Sequence, residues 1–380
     1  MWAVEAPAAD APSRPRLRDL GIAIGRFEPG RWNAITDVAG VRVGQVTLVS
    51  GEGPLDTGRG PVRTGVTVIV PRDGIEGDPC FAGTHVLNGN GEMTGTAWVE
   101  DAGLLTTPVA ITNTHSVGVV RDALIASRSA REPDFTGWSM PVVAETYDGF
   151  LSDINGMHVR PEHVAAALAG AAGGRVAEGN TGGGTGMMCH GFKGGTGTAS
   201  RRLPGEFGGW TIGVLVQANY GQRHLLRLDG VPVGARIPAT RVPLPGPAPA
   251  PTAAEAGEGS IIVVVATDAP LLPGQCRGMA RRSALGVGRV GGVGENSSGD
   301  LMLAFSTANH GLAGQPPDGG PVPVLMLPRF ALTPLYEAVV EATEEAIGNA
   351  LCAATTMTGR DGRVAHALPH DLLIEAMTPR

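Results

Sequence analysis

Aromatic residues make up only 4% of this 380-residue chain, and Asp, Glu, Lys and Arg together only 17%. There is no run of Lys or Arg able to track phosphates. With a formal net charge of -7, that argues against a nucleic-acid partner. The four cysteines, Cys80, Cys189, Cys276 and Cys352, lie far apart and form neither a CxxC pair nor a Cys/His ligand spacing. Neither a zinc site nor a disulfide framework is expected, and the thiols read as small buried residues of a reducing compartment. No apolar run approaches transmembrane length, and the start, MWAVEAPAADAPSRPRLRDLG, lacks a basic end followed by an apolar core. The expectation is a cytoplasmic protein without membrane association.

Glycine and proline are abundant, at 58 and 30 residues. They are scattered between apolar runs without a collagen-like period, which indicates many turns rather than disorder. Hydrophobic residues at 42% indicate a large buried core. Strands are expected at 41–49, 64–72, 108–114, 140–146, 210–219, 260–267 and 301–307, several of them apolar on both faces, as in a covered sheet. Helices fall between them. SVGVVRDALIAS has Ser116 as a cap and a stripe of Val119, Val120, Leu124 and Ile125. PEHVAAALAGA follows. DAPLLPGQCRGMARRSALG has Asp268 as a possible cap, with its regular part starting at Pro273. TPLYEAVVEATEEAIGNALCAAT has Thr333 as cap, Pro334 at the first position, and Glu337, Glu341 and Glu344 in its amino-terminal half. The order suggests a layered α/β sandwich.

The Pro/Ala-rich stretch 243–259 runs through Gly259 into Ser260 and the strand IIVVVAT. A cut between Gly259 and Ser260 would leave a serine whose hydroxyl and near-neutral α-amine share one residue, the arrangement of an N-terminal nucleophile. A plain domain linker has the same composition. Pieces 1–259 and 260–380 would have to share one core, so 1–380 is read as a single layered domain. Downstream, SSGD places Ser298 and Asp300 two apart before a strand, where both side chains can face one site and Asp300 can orient the Ser298 hydroxyl. A plain Ser-Gly-Asp turn is the structural alternative.

Strand ends offer Asn219 and Tyr220, and Glu145, Tyr147 and Asp148. An Asn amide or a Tyr hydroxyl can donate to a developing oxyanion, and a buried Glu145 can hold a substrate ammonium. A turn Asn, a half-buried Tyr and a surface Glu are the alternatives. The glycine-rich segment 179–200 suggests an anion nest but lacks the P-loop pattern, and Gly286-Val-Gly288-Arg-Val-Gly291 matches a dinucleotide motif by letter only, after a helix. Both read as tight turns. His115, His190 and His310 are possible bases without a partner spacing.

Taken together, RLRDLGI, NAITDVAGVRVG, NGNGEMTG, NTHSVG, ETYDGFL, GNTGGGTGM, GFKGGTGTASR, VLVQANYG, GSIIVVVATDAPL and SSGDLMLAFSTAN resemble, in order, the β-peptidyl aminopeptidase family, which includes the L-aminopeptidase/D-alanine esterase-amidases. The resemblance implies a precursor that cuts itself between Gly259 and Ser260 and stays assembled as an α-β pair. It also implies a four-layer αββα sandwich similar to N-terminal-nucleophile hydrolases but differently connected, usually in a homotetramer. Position by position, Ser260 is the nucleophile, Ser298 and Asp300 its relay, Asn219 an oxyanion donor, Tyr147 a neighbour of the reacting carbonyl, and Glu145 the amino-group ligand. The relay carboxylate can be Glu in this family. The function implied is release of an N-terminal residue from short peptides, amides or esters through an acyl-enzyme, with no metal or organic cofactor. Rival readings are an acyltransferase of the ornithine acetyltransferase kind, which exposes a threonine instead, and a nucleotide- or phosphate-binding module using the glycine-rich loops.

Overall fold

All eight residues of Ser260–Thr267 are buried. A strand covered on both faces needs a layer on each side, and that requirement organises the whole architecture. A computed structural model describes residues 14–247, 259–313 and 320–378. Up to the glycine-rich segment it contains β1 (Arg42–Ser50), β2 (Val62–Val70), β3 (Cys80–Gly89), α1 (Thr96–Ala102), β4 (Leu104–Leu105), β5 (Val109–Asn113), α2 (Val117–Arg131), β6 (Val142–Thr146) and α3 (Pro161–Ala169). There follow the short β7 (Met188–Cys189) and β8 (Phe192–Lys193), then β9 (Gly195–Arg202), β10 (Thr211–Asn219), α4 (Val233–Arg236), β11 (Gly246–Pro247), β12 (Ser260–Thr267), α5 (Pro273–Val290), β13 (Gly299–Ser306) and α6 (Thr333–Ala353).

Two sheets carry the fold, one in the order β1-β2-β5-β6 and one in the order β4-β3-β13-β12-β10-β9. Alternation along β12 places each side chain in one of two cores. Ile261, Val263 and Val265 pack with Met279, Val287, Leu335, Val339 and Ile347 of α5 and α6. Ile262, Val264 and Ala266 pack with Ile69, Ile111 and Val142 of the other sheet. A third core joins Val66, Val68 and Val143 to Val120 and Leu124 of α2 and Val164 and Ala167 of α3. Helices, sheet, sheet, helices is the four-layer αββα sandwich. Each fully buried Val, Leu or Ile contributes about 1.5–3 kcal/mol, so these three cores supply most of the driving force. β12 and β13 lie in the middle of the six-stranded sheet, between β3 and β10, which come from the chain before residue 259.

Several local expectations change. β3 and β9 were not anticipated, and β9 occupies part of the segment read as turns. Glycine lets helices approach these strands: a Cβ on Gly197 would lie 2.0 Å from the Ala346 carbonyl of α6. The Gly286-to-Gly291 motif lies in the last turns and cap of α5 instead of following a helix. α2 buries Val117, Val120, Ala123 and Leu124, a shifted stripe, and Ser116 makes no side-chain cap bond. Thr333 is the first residue of α6 rather than its cap. Asp268 accepts the Thr211 N–H at 2.7 Å and lies outside α5. The glutamates of α6 bind partners instead of only serving the helix dipole: buried Arg201 pairs with Glu341 at 3.1 Å and Glu345 at 2.7 Å. Most of the expected linker lies outside the described residues.

Candidate active site

Strand register brings the site together. Ser260 opens β12, directly opposite Asn219, the last residue of antiparallel β10, and beside Gly299, the first residue of parallel β13. Asn219 shares its face with Gln217 and Leu215, and Ser260 shares its face with Ile262 and Val264, so both side chains turn toward the space between the sheets. Leu215, Ile262 and Val264 belong to the inter-sheet core. Ser260 is 3% exposed, and its Oγ has no hydrogen-bond partner among the described residues. The Gly259 carbonyl, which precedes it, accepts the Gly299 N–H at 3.1 Å.

The Asn219 amide can be oriented only one way. Its Oδ1 accepts the Met188 N–H at 2.8 Å and its Nδ2 donates to the Tyr147 carbonyl at 3.0 Å; a flipped amide would lose both bonds. One Nδ2 hydrogen therefore remains beyond the bond to Tyr147.

Ser298 Oγ donates to Asp300 Oδ1 at 2.6 Å, in the order the i, i+2 spacing predicts. The Ser298 hydroxyl also lies 3.4 Å from where a Cβ on Gly259 would stand, which puts it beside the Gly259–Ser260 link. Burial, aided by the Glu295 carboxylate, raises the Asp300 pKa, against the opposing bonds from the Ser298 hydroxyl and the Ile261 N–H. A carboxylate that is hard to keep charged gains most from a hydroxyl donor and pulls hardest on its proton.

Glu145, on β6, is 3% exposed. Its Oε1 accepts the Glu92 N–H at 3.0 Å and its Oε2 the Thr114 hydroxyl. Burial raises its pKa, opposed by these two bonds and by nearby His115. A Cβ on Gly91 would lie 3.1 Å from both Glu145 Oε1 and Gly299 Cα, so this glycine separates Glu145 from the Ser260 end of the sheet. Gly91 and Leu301 also line a surface cavity of about 180 Å³ with Met93 and Thr96. Tyr147 reaches the cluster through its backbone carbonyl, and its hydroxyl sits where a Cβ on Gly149 would clash at 2.4 Å. Asp148 is buried beside it, accepts from Asn113 at 2.9 Å, and is pushed up to about 7 by burial.

The remaining candidates separate. His190 is buried against Tyr220, its pKa lowered to about 4 by burial, and His310 pairs with Asp78 at 2.5 Å. In the glycine-rich segment, the Gly182 and Gly183 N–H groups are taken by the hydroxyls of Thr47 and Thr67, which leaves no nest for an anion there. Among the described residues no group of His, Cys, Asp and Glu could hold a metal ion. Sequence reasoning missed the backbone contributors, the N–H groups of Gly299, Met188 and Glu92, because every residue except proline carries such a donor and only register selects these.

Fold and site together define a serine-type hydrolase of the aminopeptidase class. The chain belongs to peptidase family S58, whose sequence profile matches residues 33–365. A curated relative, the "Beta-peptidyl aminopeptidase BapA" of Sphingosinicella microcystinivorans, is 51% identical over 361 residues, covering 94% of this chain and 90% of the relative. Among solved structures, a Burkholderia sp. beta-aminopeptidase is 51% identical with a TM-score of 0.86, covering 96% of this chain and 98% of that one. The L-aminopeptidase D-Ala-esterase/amidase of Ochrobactrum anthropi, described as a prototype for the serine aminopeptidases and a new variant among the Ntn hydrolase fold, is 45% identical. Its TM-score is 0.83, with the same coverage.

Proposed function

We propose that this chain is a self-processing serine aminopeptidase that releases an N-terminal residue from short peptides, amides or esters through an acyl-enzyme on Ser260. The observation that carries the reading is the buried Ser260 hydroxyl, unpartnered among the described residues, at the head of a central strand and next to a peptide carbonyl already bound by the Gly299 N–H. In maturation, Ser260 Oγ adds to the Gly259 carbonyl carbon and the C–N bond breaks. The resulting ester is hydrolysed by water to a Gly259 carboxylate and a free Ser260 amine. The Gly299 N–H holds the oxyanion of that step. Residues 1–259 and 260–380 remain one domain because β12 and β13 are interior strands of a shared sheet.

In turnover, the Ser260 α-amine or the Ser298–Asp300 pair takes the Oγ proton as Oγ attacks the substrate carbonyl. Asn219 Nδ2 donates to the oxyanion, with Tyr147 beside the reacting carbonyl. The amine leaves, and water then releases the acid. Glu145 binds the substrate ammonium, and the cavity bounded by Gly91, Met93 and Leu301 takes the side chain. L-α, D-α and β-amino residues are all candidates for the released residue, as the activities named for the relatives suggest. The apolar side chains of Leu325 and Phe330, 68% and 85% exposed, support self-association, with a homotetramer of α-β pairs as the assembly proposed. Four free, buried thiols support a cytoplasmic setting.

The test is a paired assay of β-alanyl, D-alanyl and L-alanyl amides with free and acetylated amino groups. Turnover of at least one free-amine amide and none of its acetylated partner supports the reading. Equal turnover of both members of a pair contradicts the Glu145 assignment, and no turnover of any contradicts the activity.

A further inference from the structure

Lys193 is completely buried, and among the described residues none of its hydrogen bonds goes to a carboxylate. Its ammonium donates to the carbonyl oxygens of Met187 at 2.7 Å, Gly194 at 2.9 Å and Gly184 at 3.5 Å. An uncompensated cation in the interior is costly, and burial lowers its pKa to about 7. A nearby ionisable group, the Cys189 thiol, is itself pushed up to about 12 by burial and supplies no countercharge near neutrality.

The peptide unit between Met187 and Met188 connects this lysine to the site. Its carbonyl oxygen accepts from Lys193 Nζ and from the Gly194 N–H at 2.9 Å. Its N–H donates to Asn219 Oδ1 at 2.8 Å. One peptide plane is thus clamped at its oxygen by a cation and presents its hydrogen to the Asn219 amide. The short β7–β8 pairing, in which Met188 faces Lys193, closes the loop around it. A cation on the carbonyl oxygen also polarises the peptide and strengthens its N–H as a donor. The ammonium brings three donors to three converging carbonyls; an apolar side chain of the same length leaves them short of partners and the peptide free to turn.

We infer that Lys193 is a positioning residue for the hydrolytic reaction: through the Met187–Met188 peptide it fixes the Asn219 amide, so that the remaining Nδ2 hydrogen meets the oxyanion formed at Ser260. This rests on the reading of Asn219 as oxyanion donor. Lys193 acts on the geometry of that donor and not on substrate binding, so its loss appears in kcat rather than KM.

A double-mutant cycle tests this, with Lys193→Met, Asn219→Ala and the double variant assayed on a free-amine amide and rates normalised to the cleaved fraction. Asn219→Ala should lower kcat about 10²- to 10³-fold. Lys193→Met should lower it about ten- to a hundred-fold, with KM moving less than about twofold. The double variant should be no slower than Asn219→Ala beyond about twofold, because the donor that Lys193 positions is already gone. Multiplying losses, an unchanged kcat in Lys193→Met, or a loss confined to KM would each overturn the inference. An Asn219→Ala enzyme with wild-type kcat refutes the oxyanion assignment first, and the Lys193 inference with it. If Lys193→Met does not fold, Lys193→Gln, which keeps a donor, enters the same cycle under the same criteria.

Discussion

Asn219 and Ser260 face each other across the β10–β12 pairing, the last residue of one strand against the first of the next. Directly opposed residues have Cβ atoms about 4.5–5.5 Å apart. That is close enough for an amide and a hydroxyl to serve one substrate carbonyl. Neighbouring strand ends add Gly299 from β13 and the Tyr147 carbonyl from beyond β6, so the site is assembled from the ends of strands.

The Ser298–Asp300 bond predicts a graded response. Ser298→Ala and Asp300→Asn should each lower kcat about 10²- to 10⁴-fold, the usual range for removing proton-transfer assistance. Asp300→Glu should retain more activity than Asp300→Asn. Steady-state kinetics on one amide substrate checks the order, and an Asp300→Asn enzyme as active as wild type contradicts the relay.

Glu145 predicts an acid limb. Its pKa is raised by burial, so it loses charge as pH falls through a value above the ordinary carboxylate range, and substrate ammonium binding weakens there. The kcat/KM profile should fall on the acid side at that higher pH. Glu145→Gln should raise KM at neutral pH by about tenfold or more, the worth of a charge-assisted hydrogen bond. An unchanged KM for free-amine substrates refutes the assignment.

Gly299 predicts a block to processing. A Cβ there would lie 2.6 Å from the Asn90 carbonyl and 2.8 Å from Gly91 Cα, both backbone atoms. Gly299→Ala must therefore displace the N–H that holds the Gly259 carbonyl, and self-cleavage should slow at least about tenfold. Gly118, on α2, has open space at its Cβ position, and Gly118→Ala should process normally. The half-time of fragment appearance by mass compares the two.

Asp148 predicts a pH-dependent stability. Burial disfavours its charge and pushes its folded-state pKa up to about 7, well above the ordinary carboxylate value of about 4. Between these values the folded chain holds a proton that the unfolded chain has released, so this group's contribution to stability falls as pH rises from about 4 to about 7. Asp148→Asn should flatten the dependence of Tm on pH and raise Tm at pH 8 by about 2 °C or more. A variant with the wild-type slope contradicts the assignment.

The layers were legible where burial writes itself into composition. β10 and β12 are apolar on both faces and β-branched, and the helices between strands repeat at helical spacing. β3 and β9 were hidden by their glycines. Gly83 approaches the Arg277 backbone of α5 at 2.4 Å from its Cβ position, and Gly197 approaches α6 in the same way, so residues that resemble turn formers are there to let helices pack close. Within the site, Ser298 and Asp300 could be paired from their spacing, because strand geometry alone turns i and i+2 to one side. The facing of Asn219 and Ser260 depends on pairing register across 41 positions of sequence, and only the resemblance pointed to it. The Gly299 N–H and the peptide that joins Lys193 to Asn219 have no signature in side-chain identity, since backbone groups acquire a role only through the fold.

Conversion of Ser260 to a free amino terminus and nucleophile is read out by the intact masses of the purified chain under denaturing conditions, beside Ser260→Ala. Two wild-type fragments that separate between Gly259 and Ser260, and a whole chain for the variant, are expected. A wild-type chain that stays whole while turning over free-amine amides, or a Ser260→Ala chain cut at the same bond, would contradict it.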